Sequence, residues 1–380
     1  MDSWEKPMVP EDMLNLSFLG LNMVFGNAVP RELLQQTAQE IHERRDRYRT
    51  MWVSGQEVEN LSLSKADLSR IRRAVAKGHG AFITAFQSGP FLHLPFLLAS
   101  LGFEVMLLMD PENFEHGMTC CKIDLDAPPG EQAKGYWPPD KPRGLPVHFV
   151  SSSDANTAWR LTKWLRGGKV AFAYMDGNRG LDEDRNAKTS TIASFFGIDI
   201  WVRKGLAYLA GFAGAPLFVM VCRPVDGGHK VYLSQQFTRR DKEKIEAFCD
   251  RAVRAAYTFL EQQLISDVAG WAEWQQLPRW AVQKKQNDTP SVSAEQAIES
   301  RLQVEARVVP IQLGEMQILV NQKNGTSIVA TPVISDVLRV ASSGATVEQL
   351  LDQLSASYGE ESLLEIIHTL ASDAFLLVSS

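Results

Sequence analysis

The sequence predicts an α/β protein, a mostly parallel sheet flanked by helices, followed by a small C-terminal α+β domain with a short β-sheet and three helices. Three observations carry this reading. Between residues 81 and 234, short apolar and β-branched runs alternate with helical patterns, as in the crossover units that build parallel sheets. A polar stretch without periodicity, Gln283-Lys-Lys-Gln-Asn-Asp-Thr-Pro-Ser-Val-Ser293, then interrupts the alternation. Beyond it the style changes to short strands joined by turn residues, and then to short helices. At 380 residues the chain is longer than a typical single domain. The expected division is an α/β domain with a helical N-terminal segment over 1–282, a linker over 283–304 and a small domain over 305–380.

The opening 80 residues read as helical, with a charged amphipathic helix from Pro30 to Arg49 and another from Ser64 to Lys77, closed by Gly78 and Gly80. Strands follow at Ala81 to Phe86, Glu104 to Met109, Val147 to Val150, Val170 to Met175 and Leu217 to Cys222, with Lys230 to Ser234 returning as an edge. Helices fill the gaps after Gln87, from Asp154 to Arg166 and from Arg203 to Ala213. The loop from Asp124 to Arg143 is long and rich in Pro, Gly and Lys, the composition of a lid or substrate-contacting segment. A helix then runs from just after Arg240 to about Leu264. In the last 75 residues, strands are expected at Arg307 to Leu313, Gln317 to Asn321 and Ser327 to Ala330. Helices are expected at Thr331 to Ala341, Thr346 to Ser357 and Glu360 to Asp373, with Thr346 as an N-cap and Gly344 ending the helix before it.

Composition narrows the function. With 45% apolar and 22% charged residues the chain is of ordinary globular make-up, and its formal charge of −6 argues against a nucleic-acid partner. Cys120, Cys121, Cys222 and Cys249 form no C-x-x-C pair and no zinc-like spacing with histidine, so reduced thiols in a cytoplasmic protein without a metal are expected. The N-terminus lacks the pattern of a signal peptide, and Leu16 to Phe25 is too short to span a bilayer. Gly205 to Cys222 is apolar for eighteen residues, but Gly214-Ala-Pro216 divides it into a helix and a strand.

Several motifs of the first 280 residues resemble the bacterial lipid A late-acyltransferase family, within the lysophospholipid acyltransferase superfamily. These are the Gly89-Pro90 turn with its apolar helix, Gly168-Lys-Val-Ala-Phe-Ala-Tyr-Met-Asp-Gly-Asn-Arg-Gly180, Ser194-Phe-Phe-Gly197, Gly214-Ala-Pro-Leu217 and Trp271-Ala-Glu-Trp274. The resemblance implies a glycerolipid-acyltransferase-like fold. It also implies that the strand end at Asp176 and the Phe-Phe-Gly loop line the acceptor side of a cleft. The last 75 residues resemble the PqqD-like peptide recognition fold, through the three strands, Thr331-Pro332, Thr346-Val-Glu-Gln-Leu-Leu351, Tyr358-Gly359 and a final helix ending in Phe375-Leu-Leu377. This second resemblance implies a winged-helix-like domain that takes a precursor's leader peptide as an added strand.

The acyltransferase turn departs from its family at the centre. Where the family carries a His followed five residues later by an acid, this chain has Gln87 and Leu92. An amide has no useful basicity near neutral pH, so Gln87 donates a hydrogen bond but does not replace an imidazole. His93, six residues on, is the substitute base if the helix turns it toward the cleft; otherwise it is a satisfied core histidine. Asp176 ends a buried strand, where α/β sheets bind ligands, and is an acceptor-side anchor or a turn cap. Gly89, Arg179, Arg203 and Lys204 complete the candidate substrate contacts, the cations as clamps for phosphate or carboxylate or as solvent-exposed flanks. Trp271, Trp274 and Trp280 read as packing.

The leading expectation is an acyltransferase-fold enzyme of a peptide or peptide-derived natural-product pathway. It would transfer an acyl or aminoacyl group from acyl-CoA or an acyl-carrier protein, with no tightly bound cofactor, to a peptide or amine held by the C-terminal module. Joining recognition and reaction in one chain raises the local substrate concentration. Two alternatives stand beside it: a non-catalytic scaffold that presents a precursor peptide to partner enzymes, and a lipid acyltransferase in peripheral contact with a membrane surface.

Overall fold

The computed structural model describes residues 10–26, 28–54, 58–110, 147–177, 188–282, 301–306, 308–313, 316–321, 326–373 and 375–379. The loop from Asp124 to Arg143, Cys120, Cys121, Arg179 and the polar stretch after Val282 lie outside these residues.

Two helices, α1 (Pro10–Phe25) and α2 (Arg31–Ser54), open the chain and pack on each other. Before α3 (Lys65–Ala74) comes β1 (Leu61–Leu63), a strand the helical reading of the first 80 residues missed because three residues are too few to display alternation. Ser64 caps α3 by accepting the Asp67 N–H. In order there follow β2 (Ala81–Ala85), α4 (Leu94–Ser100), β3 (Val105–Met109), β4 (Val147–Ser151), α5 (Thr157–Arg166) and β5 (Val170–Tyr174). Next come β6 (Ser190–Phe195), β7 (Ile198–Arg203), α6 (Gly205–Ala213), β8 (Leu217–Val225), β9 (Gly228–Leu233), α7 (Ile245–Leu264) and α8 (Leu277–Trp280).

Seven strands form one mixed, mostly parallel sheet in the order β1-β9-β8-β2-β5-β3-β4. Every neighbouring pair is parallel except the β8–β9 hairpin. The run Lys230 to Ser234 is therefore not the edge expected of it: β9 lies second, because β1 adds outside it in parallel. Successive residues of a strand point to opposite faces. Along β2, Phe82 and the following Phe86 enter one core with helices α5, α6 and α7, while Ala81, Ile83 and Ala85 enter the other with α3 and α4. With both faces covered, all five residues of β2 are buried, and each fully buried Phe contributes about 2–3 kcal/mol.

The eighteen-residue apolar run resolves as a helix and a strand, since Gly214, at φ +73°, ends α6 and β8 begins at Leu217. No helix among the described residues is long and apolar enough to cross a membrane. Strands β6 and β7 form a separate hairpin that the sequence pattern did not announce. Its two-residue turn, Phe196-Gly197, has φ of +47° and +78°, a geometry usually given to Asn-Gly or Asp-Gly. Phe196 accepts that backbone because its ring is fully buried and stacked on Trp274 at 6.1 Å.

After the gap come β10 (Arg301–Val304), β11 (Val308–Leu313), β12 (Met316–Asn321), β13 (Ser327–Val329), α9 (Pro332–Ala341), α10 (Val347–Tyr358), α11 (Glu360–Ser372) and β14 (Leu376–Ser379). Strands β11, β12 and β13 make an antiparallel sheet. Residues 301–304, read as the end of the linker, and 376–379, whose first two residues were read as the end of the last helix, instead pair antiparallel as β10 and β14. Each is four residues long, too short for either pattern to be told from sequence. Thr346 caps α10 in a reciprocal capping box with Gln349. On β12, Ile318 and Val320 join the large core whereas Leu319 faces the C-terminal helices, so the small sheet is covered on both sides. Strand β11 packs against Val268–Gly270, the segment that enters the candidate site.

Candidate functional site

Because β2 and β5 are parallel neighbours, their carboxyl ends lie side by side, and the residues just beyond them are Gln87 and Asp176. The Gln87 N–H donates to Asp176 Oδ2 at 2.8 Å. The Trp271 indole N–H donates to the same oxygen at 2.9 Å. Asp176 is 2% exposed, and its Oδ1 is buried without a hydrogen bond to any other residue among those described.

Burial, reinforced by repulsion from the Glu273 carboxylate, pushes the Asp176 pKa up to about 7 in spite of the two donated hydrogen bonds. Glu273 is itself buried and shifted upward by desolvation, opposed by the charge of Arg45 and a hydrogen bond with Gln275. A carboxyl group that titrates near neutrality has the basicity that Gln87 lacks.

The segment carrying Trp271 is zipped to the turn after β2. Gly89 N–H donates to Gly270 O at 3.2 Å, and Ala272 N–H donates to Gln87 O at 2.9 Å. On the other side, the Cys222 N–H donates to Ser88 Oγ at 3.0 Å. Gly89 has φ +55°, and a Cβ there would meet the Cys222 carbonyl at 2.9 Å, so the turn needs glycine both for conformation and for space. Burial raises the Cys222 thiol well above its ordinary range, which leaves it inert as a nucleophile.

Helix α2 lies over the turn after β2, where Arg44, Arg45 and Tyr48 line a small hollow together with Gln87, Gly89 and Phe91; Asp176 lies behind the turn and does not line it. Arg44 is held by Asp267 at 2.7 Å and Glu40 at 2.5 Å, and the Tyr48 hydroxyl meets His229 Nε2 at 2.9 Å.

Among the residues singled out from sequence, Gln87, Gly89 and Asp176 come together. His93 is half-buried, with its ring edge-on to Trp52 of α2 at 5.3 Å. Arg203 ends β7, and the buried Lys204 forms an ion pair with Asp250 of α7 at 3.3 Å. That pair ties the lysine to the junction between α6 and α7, which is a structural use of the charge. Arg179 lies outside the described residues.

No protein-family model matches this chain, and no curated protein matches it. The chemistry of the site therefore rests on its geometry.

Phe195, Phe196, Trp271 and Trp274 are each 0% exposed and pack ring against ring, with Phe195–Trp271 at 5.1 Å and Trp271–Trp274 at 5.4 Å. The Phe-Phe-Gly turn and the Trp pair are thus core, as the tryptophans were read. Sequence reasoning missed the hydrogen bond from Trp271 to Asp176, the acid Glu273 between the two tryptophans, and the cations Arg44 and Arg45. The acid was legible as a charge inside an aromatic run, whereas the arginines belong to a helix rich in charge whose inward residues no local pattern marks.

Proposed function

We propose that the chain is an acyltransferase-fold enzyme of a peptide or peptide-derived natural-product pathway, moving an acyl or aminoacyl group from a thioester to an amine or hydroxyl of a peptide. The observation that carries this reading is the uncommitted Asp176 Oδ1, buried at the carboxyl end of β5 beside the Gln87 turn. In this reading Asp176 takes the proton of the attacking nucleophile, a role open to a carboxyl group whose pKa is about 7. Gln87 donates from its side-chain amide to the developing oxyanion. The donor is acyl-CoA or an acyl-carrier protein, and the leaving thiolate takes up the proton as the new bond forms.

Strand β13 ends the three-stranded order and, among the described residues, pairs only with β12, which supports the strand addition expected of a leader-peptide site. The packing of β11, the opposite edge of that sheet, against Val268–Gly270 supports a small sheet that lies next to the Gln87 turn.

The test is incubation of the purified protein with acyl-CoA and carrier-bound donors plus candidate peptides, following thiol release and product mass. Turnover that survives in His93→Ala and is lost in Asp176→Asn is the expected result. Turnover unchanged in Asp176→Asn removes the assignment.

The scaffold reading is favoured by one observation: both donors to Asp176 Oδ2 also fasten the turn, so the carboxylate has a structural use without chemistry. It predicts saturable peptide binding with no turnover on any donor.

A further inference from the structure

Helices α5 and α6 lie side by side over the sheet, with Leu161, Leu165, Ala207 and Ala210 in the same core. Their outer faces leave large rings in solvent: Trp159 is 63% exposed, Phe212 55% and Tyr208 47%. Tyr208 and Phe212 are one turn apart on α6 and stack at 6.3 Å with planes 7° apart. Helix α6 carries no charged residue.

The cations of this face come from α5. The Lys163 ammonium sits 5.1 Å from the Trp159 ring centre, and the Arg166 guanidinium 5.7 Å from that of Phe212. Among the described residues neither cation has a carboxylate partner, because the acids flanking the two ends of α5 are taken: Asp154 by Arg160 and Glu104 by Lys169. An exposed Leu or Phe standing alone needs no explanation, but grouped aromatics rimmed by unpaired cations mark an interaction site.

We propose that the outer face of α5 and α6, built from Trp159, Tyr208, Phe212, Lys163 and Arg166, docks on an anionic phospholipid surface. The rings enter the boundary between headgroups and acyl chains, where Trp and Tyr keep a polar tip in water and an apolar body in lipid. Lys163 and Arg166 hold their charged groups over the Trp159 and Phe212 rings, at the level of the headgroups that the rings meet. An acidic protein surface would satisfy the two cations, yet it would leave the uncharged outer face of α6 without an apolar counterpart. The bilayer satisfies both. This surface is independent of the reaction assigned to Asp176.

The test is flotation of the full chain with vesicles of phosphatidylcholine alone and of phosphatidylcholine enriched in phosphatidylglycerol. The protein is expected to float with the anionic vesicles and not with the neutral ones, and to be released by high salt. Trp159→Ser, Phe212→Ser and Lys163→Glu are each expected to lower the bound fraction constant by about tenfold, with the melting temperature unchanged because all three side chains are at the surface. Failure to float with anionic vesicles overturns the proposal, as does undiminished binding by the triple variant. Capture by an immobilised acidic carrier protein without vesicle binding also overturns it and assigns the face to a protein partner.

Discussion

Glu261 and Asp176 are both buried carboxyls, 4% and 2% exposed, and burial raises both pKa values, to about 8 and about 7. Glu261, on α7, accepts the Phe196 N–H and so fastens the β6–β7 turn, within a shell of aromatic rings. Asp176 is fastened in the same way through Oδ2, but its other oxygen makes no hydrogen bond to another described residue, and it adjoins a second acid, Glu273. Desolvation alone does not separate a structural carboxyl from a reactive one. Placement is what the proposed function rests on: Asp176 follows a central parallel strand beside the Gln87 turn, and Glu261 sits behind a hairpin turn.

The sharpest way to break this comparison is to neutralise each acid in turn. Asp176→Asn keeps an acceptor oxygen for Gln87 and Trp271 but removes the proposed base, and thioester turnover is expected to fall by about 10²–10⁴-fold. Glu261→Gln likewise keeps the acceptor for Phe196 and is expected to leave turnover within about threefold, since ordinary structural substitutions act through stability. Equal losses in the thiol-release assay would erase the distinction.

Titration offers the next largest effect. Both acids have folded-state pKa values above their unfolded ones, so each contributes stability in full below about pH 4, and that contribution is lost as pH rises toward 7 for Asp176 and 8 for Glu261. Denaturant midpoints are expected to fall between pH 5 and 8, and Glu261→Gln is expected to recover a few kcal/mol at pH 8 relative to the wild type. A pH-independent difference between the two proteins would place the ionised form of Glu261 in the folded state throughout.

Backbone geometry gives a third, smaller effect. Gly89→Ala forces a Cβ to within 2.9 Å of the Cys222 carbonyl at φ +55° and is expected to cost about 1–3 kcal/mol by chemical denaturation. Gly214→Ala, also at positive φ but with open space around its Cβ, is expected to cost about 1 kcal/mol, the conformational part alone. Similar losses at both positions would remove the steric argument that the Asp176 turn is closely packed against β8.

The parts of this molecule that were legible in sequence share a reason. Strands of five residues buried on both faces, such as Ala81–Ala85 and Val170–Tyr174, read as apolar runs, and the cap at Thr346 read from residue type. What stayed hidden depends on neighbours remote in the chain. Leu61–Leu63 is a strand only because β9 offers it an edge, and Phe196 takes a left-handed turn only because Trp274 buries its ring. In the site, Asp176 was visible as a strand end, but the Trp271 donor lies 95 positions away, and Glu273 sits between two tryptophans that read as packing.

The finest test acts on the hydrogen bond that links the aromatic core to the site. Trp271→Phe keeps a ring against Phe195 and Trp274 but removes the indole N–H that donates to Asp176 Oδ2 at 2.9 Å. That bond favours the carboxylate, so its loss raises the Asp176 pKa further above about 7. The rising limb of the pH–rate profile is then expected to move to higher pH by about one unit or less, with the plateau retained. The unfolding free energy falls by the cost of one buried hydrogen bond and some lost ring volume, about 1–3 kcal/mol. A lowered plateau with an unmoved midpoint would mean that Trp271 supports the fold alone, and Asp176 would then stand with Glu261 as a carboxyl that holds the structure rather than one that moves a proton.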